Sequence, residues 1–424
     1  SKMGNLFKKT KSVCATREFK LFLSVWIVYI FYLQMYGSSC MANSQSALTA
    51  AIANEGRFEI DTYRKVSCDI SFYKGHYYSG QPPGISFISA PIYIASKPIF
   101  YILPQKAIDF AFSKIESYGN TMPVDYWGKK KVLSSYFNGL SKRQILEYIF
   151  ISGFILPILT TSLISALSAL LVYLFLKRFT SNEKLRILIT LLYAFGTTVF
   201  RSSTQFLERP IAAALMFAAF FILFRIKHNE LKPKGSTLFW AGMLAGISAW
   251  FDYFHLFLSG LLFLYVLSFY SGNEAKKSKE IIKIHRKLLP APKGAGLTEF
   301  SFDSGFLGCR KGFIQHLKVL VFAFSCIKKM WTFNLNKARL LLLSKFIIGV
   351  LIPALLLFMY YYIIFDDPLA TSYNHRIVPA SDAKISDIIN IKLPNAFELY
   401  NILLFFVYSP VILVAFYGLY RALL

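Results

Sequence analysis

Uninterrupted apolar runs as long as a bilayer is thick constrain this chain more than any other feature. Residues 151–176, 211–224 and 346–365 are the plainest, and none shows period-two or period-3.6 striping. Runs near 20 residues match the roughly 30 Å hydrocarbon core of a membrane. Charge content agrees, at 16% against about 25% for soluble domains. A water-soluble fold is excluded, and an all-α polytopic membrane protein is expected.

The net charge of +25 raises the question of nucleic acid. Its distribution answers it. The basic residues cluster between the apolar runs, as in Lys8–Lys20, Lys177–Arg186 and Arg225–Lys234. The largest group, Lys276–Lys345, holds fifteen Lys or Arg against three acids. This is the positive-inside pattern that orients membrane helices. No solvated recognition module accompanies it, so no nucleic-acid partner is expected.

Alternating the charge clusters gives a topology. Residues 1–19 are a cytoplasmic N-terminus, and the first helix runs from about Lys20 to Tyr36. That helix has the length and polar exit of a signal peptide but no Ala-x-Ala-like cleavage site, so it reads as a retained anchor. A long first outer loop, 37–147, follows within a membrane core of 20–270. Further helices are expected at 148–176, 187–200, 207–226, 237–251 and 254–270. A basic cytoplasmic segment, 271–345, precedes helices at 346–365 and 399–420, which flank an outer loop at 366–398. Two apolar stretches break the alternation and are not read as spans, Ile85–Leu103 and Phe313–Cys326. The first holds Pro91 and Pro98, and its Tyr93 and Tyr101 suit the headgroup region, so it reads as an outer interfacial or re-entrant segment. Lys129-Lys130-Lys131 falls outside on this scheme, which long translocated segments tolerate. Five cysteines are too few for a disulfide scaffold; only Cys40 and Cys68 face outward, where a bridge between them can form.

Polar residues that could carry chemistry gather on the outer side. Asp61 and Asp69 in the first loop are candidate general bases, since a shielded carboxylate can take a proton from an attacking hydroxyl. Their plainer reading is as solvated loop acids or helix caps. Residues 75–84 pair aromatics with a rigid Pro82-Pro83 bend, which suits either a lipid headgroup or an ordinary turn. Arg201, Glu208, Arg209, Asp252 and His255 lie near outer helix ends; they either face a shared cavity or snorkel. Glu208 and Arg209 each pair elsewhere, or Arg209 pairs with Asp252. Asp366-Asp367 fits a divalent cation or, more simply, a turn before Pro368. No zinc spacing or nucleotide loop is visible, and a divalent cation is the one cofactor left open.

The ordered set Asn43-Ser44, Ile60-Asp61-x-Tyr63, Gly75-His-Tyr-Tyr-Ser-Gly-Gln-Pro-Pro-Gly84, Tyr193–Thr198, Ala241–Gly246 with Asp252-Tyr253, Asp367-Pro-Leu with Tyr373, and Tyr408-Ser-Pro410 resembles a known group. It is similar to the membrane glycosyltransferases of the GT-C superfamily, closest to the protein O-mannosyltransferase and lipid A aminoarabinose transferase group. The resemblance implies a GT-C-like helical bundle whose long first loop bears interfacial helices. It implies a polyprenyl-phosphate-linked sugar donor, an acceptor protein, lipid or glycan, and inverting transfer at the outer face of the cell membrane. An acidic residue of the first loop, Asp61 or Asp69, would be the base; Asn43, His76, Tyr78, Gln81, Arg201, Glu208, Arg209 and Asp252 would line the substrate site. Positioning and a cationic contact to the departing phosphate would supply most of the rate. This chain departs from the pattern at Met41–Ser44, where relatives often carry an acid, at Gln81, where they often carry Lys, and at Glu208, where His is common. Relatives usually continue beyond the Tyr408 motif. A divergent enzyme, a truncated one and a non-catalytic scaffold or accessory subunit all stay open. A transporter is disfavoured, because no inverted halves are visible.

Overall fold

The computed structural model describes residues 16–34, 39–119, 136–137, 139–268 and 337–377. The basic N-terminus, Lys129–Lys131, Phe313–Cys326, residues 378–398, the helix at 399–420 and the Tyr408 motif lie outside them.

In lipid, a helix satisfies its backbone within one segment, and the apolar runs fold accordingly. The helices are α1 (Arg17–Phe31), α2 (Cys40–Glu55), α3 (Gly84–Ser96), α4 (Pro98–Ile102), α5 (Gln105–Gly119), α6 (Lys142–Leu176), α7 (Glu183–Phe195), α8 (Thr198–Ser203), α9 (Arg209–Lys227), α10 (Gly235–Ser248), α11 (Phe254–Ser268) and α12 (Lys337–Phe365). Four stretches are long and apolar enough to cross a membrane: Gly84–Ile102, Lys142–Leu176, Arg209–Lys227 and Leu340–Phe365. Helices α1, α7, α10 and α11 have 13 to 15 residues, about 20–23 Å of helix, and fall short of a full crossing by length. Several expected bounds shift. The first helix runs over Arg17–Phe31 rather than 20–36, and the helix expected at 346 starts at Lys337, inside the segment read as cytoplasmic. Gly84–Ile102 qualifies as a span by length and composition, where the charge alternation expects an interfacial segment.

The fold is not helical throughout. Within the first loop, β1 (Ile70–Tyr73) and β2 (His76–Ser79) form an antiparallel hairpin. Its two-residue turn places both Lys74 (φ 47°) and Gly75 (φ 91°) in the left-handed region, as a tight twisted hairpin requires. A short β3 (Arg376–Ile377), arriving after α12, adds to the other edge of β1, with Ser71 opposite Arg376. The Ser71 hydroxyl donates to the Ser372 carbonyl at 2.7 Å and reinforces this junction.

Two details set the helix ends near Glu208 in place. In α6 the chain widens into π turns at Ile151–Ile155 and Ile158–Ser162, on either side of Leu156-Pro157. Proline lacks an N–H and crowds the preceding turn, which favours such widening. The widened segment reaches outward: Thr161 donates to the Leu207 carbonyl (3.2 Å) and Ser162 to the Ser203 carbonyl (2.7 Å), fixing the turn that carries Glu208. Meanwhile α10 and α12 cross with backbones in contact. A Cβ at Gly242 would overlap the Phe346 carbonyl, one at Gly349 the Phe239 carbonyl, and one at Gly246 would sit 2.6 Å from the Val350 carbonyl. This is the small-residue packing of membrane helices.

Cys40 and Cys68 are joined by a disulfide, with Cα atoms 5.3 Å apart and 28 positions between them in sequence. It ties the start of α2 to the base of the hairpin. Replacing both cysteines by serine is expected to cost about 3–4 kcal/mol of stability through the freed loop. An unchanged melting temperature in the double variant would show that the bridge contributes nothing.

Candidate functional site

Asp69 opens the hairpin, directly after Cys68, and is the most enclosed carboxylate of the first loop at 1% exposure. Its backbone N–H donates to the Ser67 hydroxyl at 3.0 Å, and that hydroxyl donates to the Cys40 carbonyl at 2.7 Å. One carboxylate oxygen accepts from the Gln81 amide. The other lies 2.8 Å from Arg376 Nη2, an ion-pair distance without hydrogen-bond alignment. Burial pushes the Asp69 carboxyl above its ordinary range, while Arg376 and Gln81 pull it back in part. Position 80 has to be glycine for this arrangement, because a Cβ there would overlap the Asp69 side chain. The Gly80 N–H donates to the Ser44 hydroxyl at 3.1 Å, and Ser44 meets Ser79 at 2.9 Å.

Glu208, at the entry to α9, is equally enclosed at 2% exposure and accepts from the Gln45 amide. The Gln45 side-chain oxygen, Oε1, is buried with no hydrogen-bond partner among the described residues. Arg209 Nε lies 3.9 Å from its own neighbour Glu208, a contact not expected from the sequence, and the guanidinium itself is exposed. Asp252 accepts from the Phe254 N–H at 3.1 Å, capping α11, and lies within Coulombic reach of Glu208.

Tyr373 lies within Coulombic reach of all of these acids. Burial pushes its pKa up to about 12, with Glu208, Asp69 and Asp252 adding to the rise and Arg376, whose guanidinium sits 6.0 Å from the ring, opposing it. Its ring packs edge-on against Tyr253 at 5.5 Å. Of the residues singled out in the sequence, Asp69 with Gln81 and Glu208 with Arg209 and Asp252 form two neighbouring groups, both within Coulombic reach of Tyr373. Arg376 joins the first of them through Asp69. Arg376 is the one cation between Asp366 and Ile377, a signal that a loop facing buried acids could have supplied.

The others are placed differently. Asp61 is 44% exposed and serves the hairpin: one oxygen contacts His76 Nδ1 at 2.8 Å, the other accepts from the Tyr77 N–H at 2.8 Å. That contact raises the His76 pKa. The Asn43 amide donates to the Val66 carbonyl at 3.0 Å, and the Tyr78 ring packs on Phe365 at 5.5 Å. Arg201 is exposed on α8. The Pro82-Pro83-Gly84 bend docks on α10, where the Gly84 N–H donates to the Trp250 carbonyl at 2.8 Å. Asp366 pairs with Lys74, and Asp367 accepts from the Leu369 N–H at 2.9 Å, closing the turn. Among the described residues no group of three or more His, Cys, Asp or Glu could hold a metal ion.

No protein-family model, no curated protein and no solved structure matches this chain.

Proposed function

We propose that this chain is a GT-C-type glycosyltransferase that moves a sugar from a polyprenyl-phosphate donor to an acceptor at the outer membrane face, with inversion. The observation that carries this reading is Asp69, a buried carboxylate grouped with Glu208, Asp252 and Tyr373 at one end of the bundle. In the proposed step the acceptor oxygen attacks the anomeric carbon from the face opposite the lipid phosphate. The bond from that carbon to the phosphate oxygen breaks, the phosphate keeps the electron pair, and the acceptor proton passes to Asp69. A base with a raised pKa suits this transfer near neutral pH. Arg201 and Arg209, both exposed, are the cations available to the phosphate. The unpartnered Gln45 oxygen offers an acceptor to a sugar hydroxyl. Because Asp69 is closed over, the Tyr373–Arg376 strap has to lift before an acceptor reaches it. The Cys40–Cys68 bridge supports placing this face in an oxidising compartment.

A second reading, a non-catalytic GT-C-like scaffold, is favoured by the same closure and by Gln81 occupying Asp69 where relatives often carry Lys. Purified protein in nanodiscs, incubated with a panel of polyprenyl-phosphate sugars and simple acceptors, separates the two. Release of polyprenyl phosphate coupled to glycosylated product is expected. Donor that binds but never turns over, across the panel, would favour the scaffold.

A further inference from the structure

At the end of the bundle opposite Asp69 and Glu208, α6 and α9 flank an open cleft of about 430 Å³ lined by Leu174, Lys177, Arg178, Phe221 and Arg225. Arg225 lies sixteen residues along α9 from Arg209, or about 24 Å of helix. The cleft therefore sits near the far edge of a hydrocarbon core of roughly 30 Å. Its lining is graded along the same direction. Leu174 and Phe221 lie about one turn deeper than the three cations, so the floor is apolar and the rim is charged.

The rim is not electrically balanced. Lys177 pairs with Glu18, while Arg178 and Arg225 both face the single carboxylate of Glu230, with Arg225 Nε 3.4 Å from it. Three lining cations face only two carboxylates, and Arg186, over the same Tyr173 ring as Lys177, adds to the positive excess. The Arg178 and Arg225 guanidiniums each carry five N–H donors and present one nitrogen to Glu230, which leaves a forked donor surface suited to phosphate.

We propose that this cleft binds the phosphate of one anionic phospholipid from the membrane leaflet it faces, with the acyl chains running along Leu174 and Phe221. An anionic phosphodiester complements the positive excess on the rim, and an amphiphile matches the graded lining. Basic pockets between membrane helices recognise lipid headgroups on these terms. The proposal is independent of the chemistry at the other face.

Native mass spectrometry of the purified full chain, titrated with phosphatidylglycerol or phosphatidylcholine in detergent, tests it. Phosphatidylglycerol is expected to bind at one copy per chain, at least about tenfold more tightly than phosphatidylcholine. Lys177→Gln with Arg225→Gln should remove that preference and leave phosphatidylcholine binding unchanged. Leu174→Trp, which fills the cleft and keeps every charge, should remove it as well and guards against a folding defect in the double variant. Equal binding of the two lipids, or an undiminished preference in Leu174→Trp, would overturn the proposal. So would displacement of phosphatidylglycerol by millimolar inorganic phosphate alone, since that result would mark a site for the free anion.

Discussion

Asp69→Asn is expected to lower sugar transfer about 10²–10⁴-fold, the contribution of a positioned general base, while Asp61→Asn changes it by less than about threefold. The contrast follows from what each carboxylate touches. Asp61 spends both oxygens on His76 and the Tyr77 N–H and is nearly half exposed, so its loss loosens the hairpin without reaching the Tyr373 cluster. Asp69 is buried within that cluster. The fold should tolerate its neutralisation. A carboxyl whose folded pKa lies above its unfolded value contributes stability below the unfolded pKa, and loses it as pH rises through the folded one. At neutral pH the charged form is thus the strained one. Asparagine keeps the shape and can still meet Gln81, and Arg376 is one-third exposed and can turn to water. A melting temperature close to wild type together with collapsed turnover is the expected pair of results. Transfer rates in Asp69→Asn within a few-fold of wild type would remove Asp69 from the mechanism.

The second large effect concerns the α10–α12 crossing. Gly242→Ala is expected to cost about 1–3 kcal/mol, and Gly242→Leu to abolish folded yield, because the added atoms meet a carbonyl rather than a movable side chain. Gly260 supplies an internal control on α11, where a Cβ meets nothing within 4 Å. Gly260→Ala should be neutral or slightly stabilising, since alanine favours a helix by up to about 1 kcal/mol over glycine. Melting of the variants in detergent decides the matter. Identical curves for Gly242→Ala and Gly260→Ala would mean that the two helices are not in backbone contact. The crossing also anchors the Pro82-Pro83-Gly84 bend, because Trp250, two residues past α10, accepts from the Gly84 N–H with its carbonyl and donates its indole N–H to the Pro353 carbonyl at 2.8 Å.

How far the sequence revealed this architecture depended on the range of the interaction. Helices such as Lys142–Leu176 and Arg209–Lys227 were legible because apolar runs act locally and need no partner to be recognised. The hairpin was legible in principle and passed over. Ile-Ser-Phe-Tyr and His-Tyr-Tyr-Ser flank Lys74-Gly75, but the turn uses Lys where Asn or Asp is the stronger signal, and it lies in a chain dominated by helical runs. The sequence puts Asp69 and Gln81 in the first loop and Glu208 and Asp252 near helix ends on the same expected side, a pattern that suits a shared cavity and snorkelling alike. The Arg376–Asp69 pair was not legible, because nothing in either neighbourhood specifies a contact spanning some 300 residues. The bounds of α1 and α12 moved because basic residues at Arg17 and Lys337 remain helical where the charge pattern suggested that the helix had ended.

That long-range pair also has a timetable. The Ser71–Ser372 junction joins positions 301 residues apart, so at 5–20 residues per second the hairpin waits about 15–60 s for its third strand to be synthesised. Through that interval the nascent chain has its hairpin edge unpaired and Asp69 without its counter-ion. A chain halted between Phe365 and Arg376 would have α1 to α12 made but would leave the β1 edge unpaired and Asp69 without Arg376. Closure over Asp69 is thereby tied to the last stretch of described chain to be synthesised.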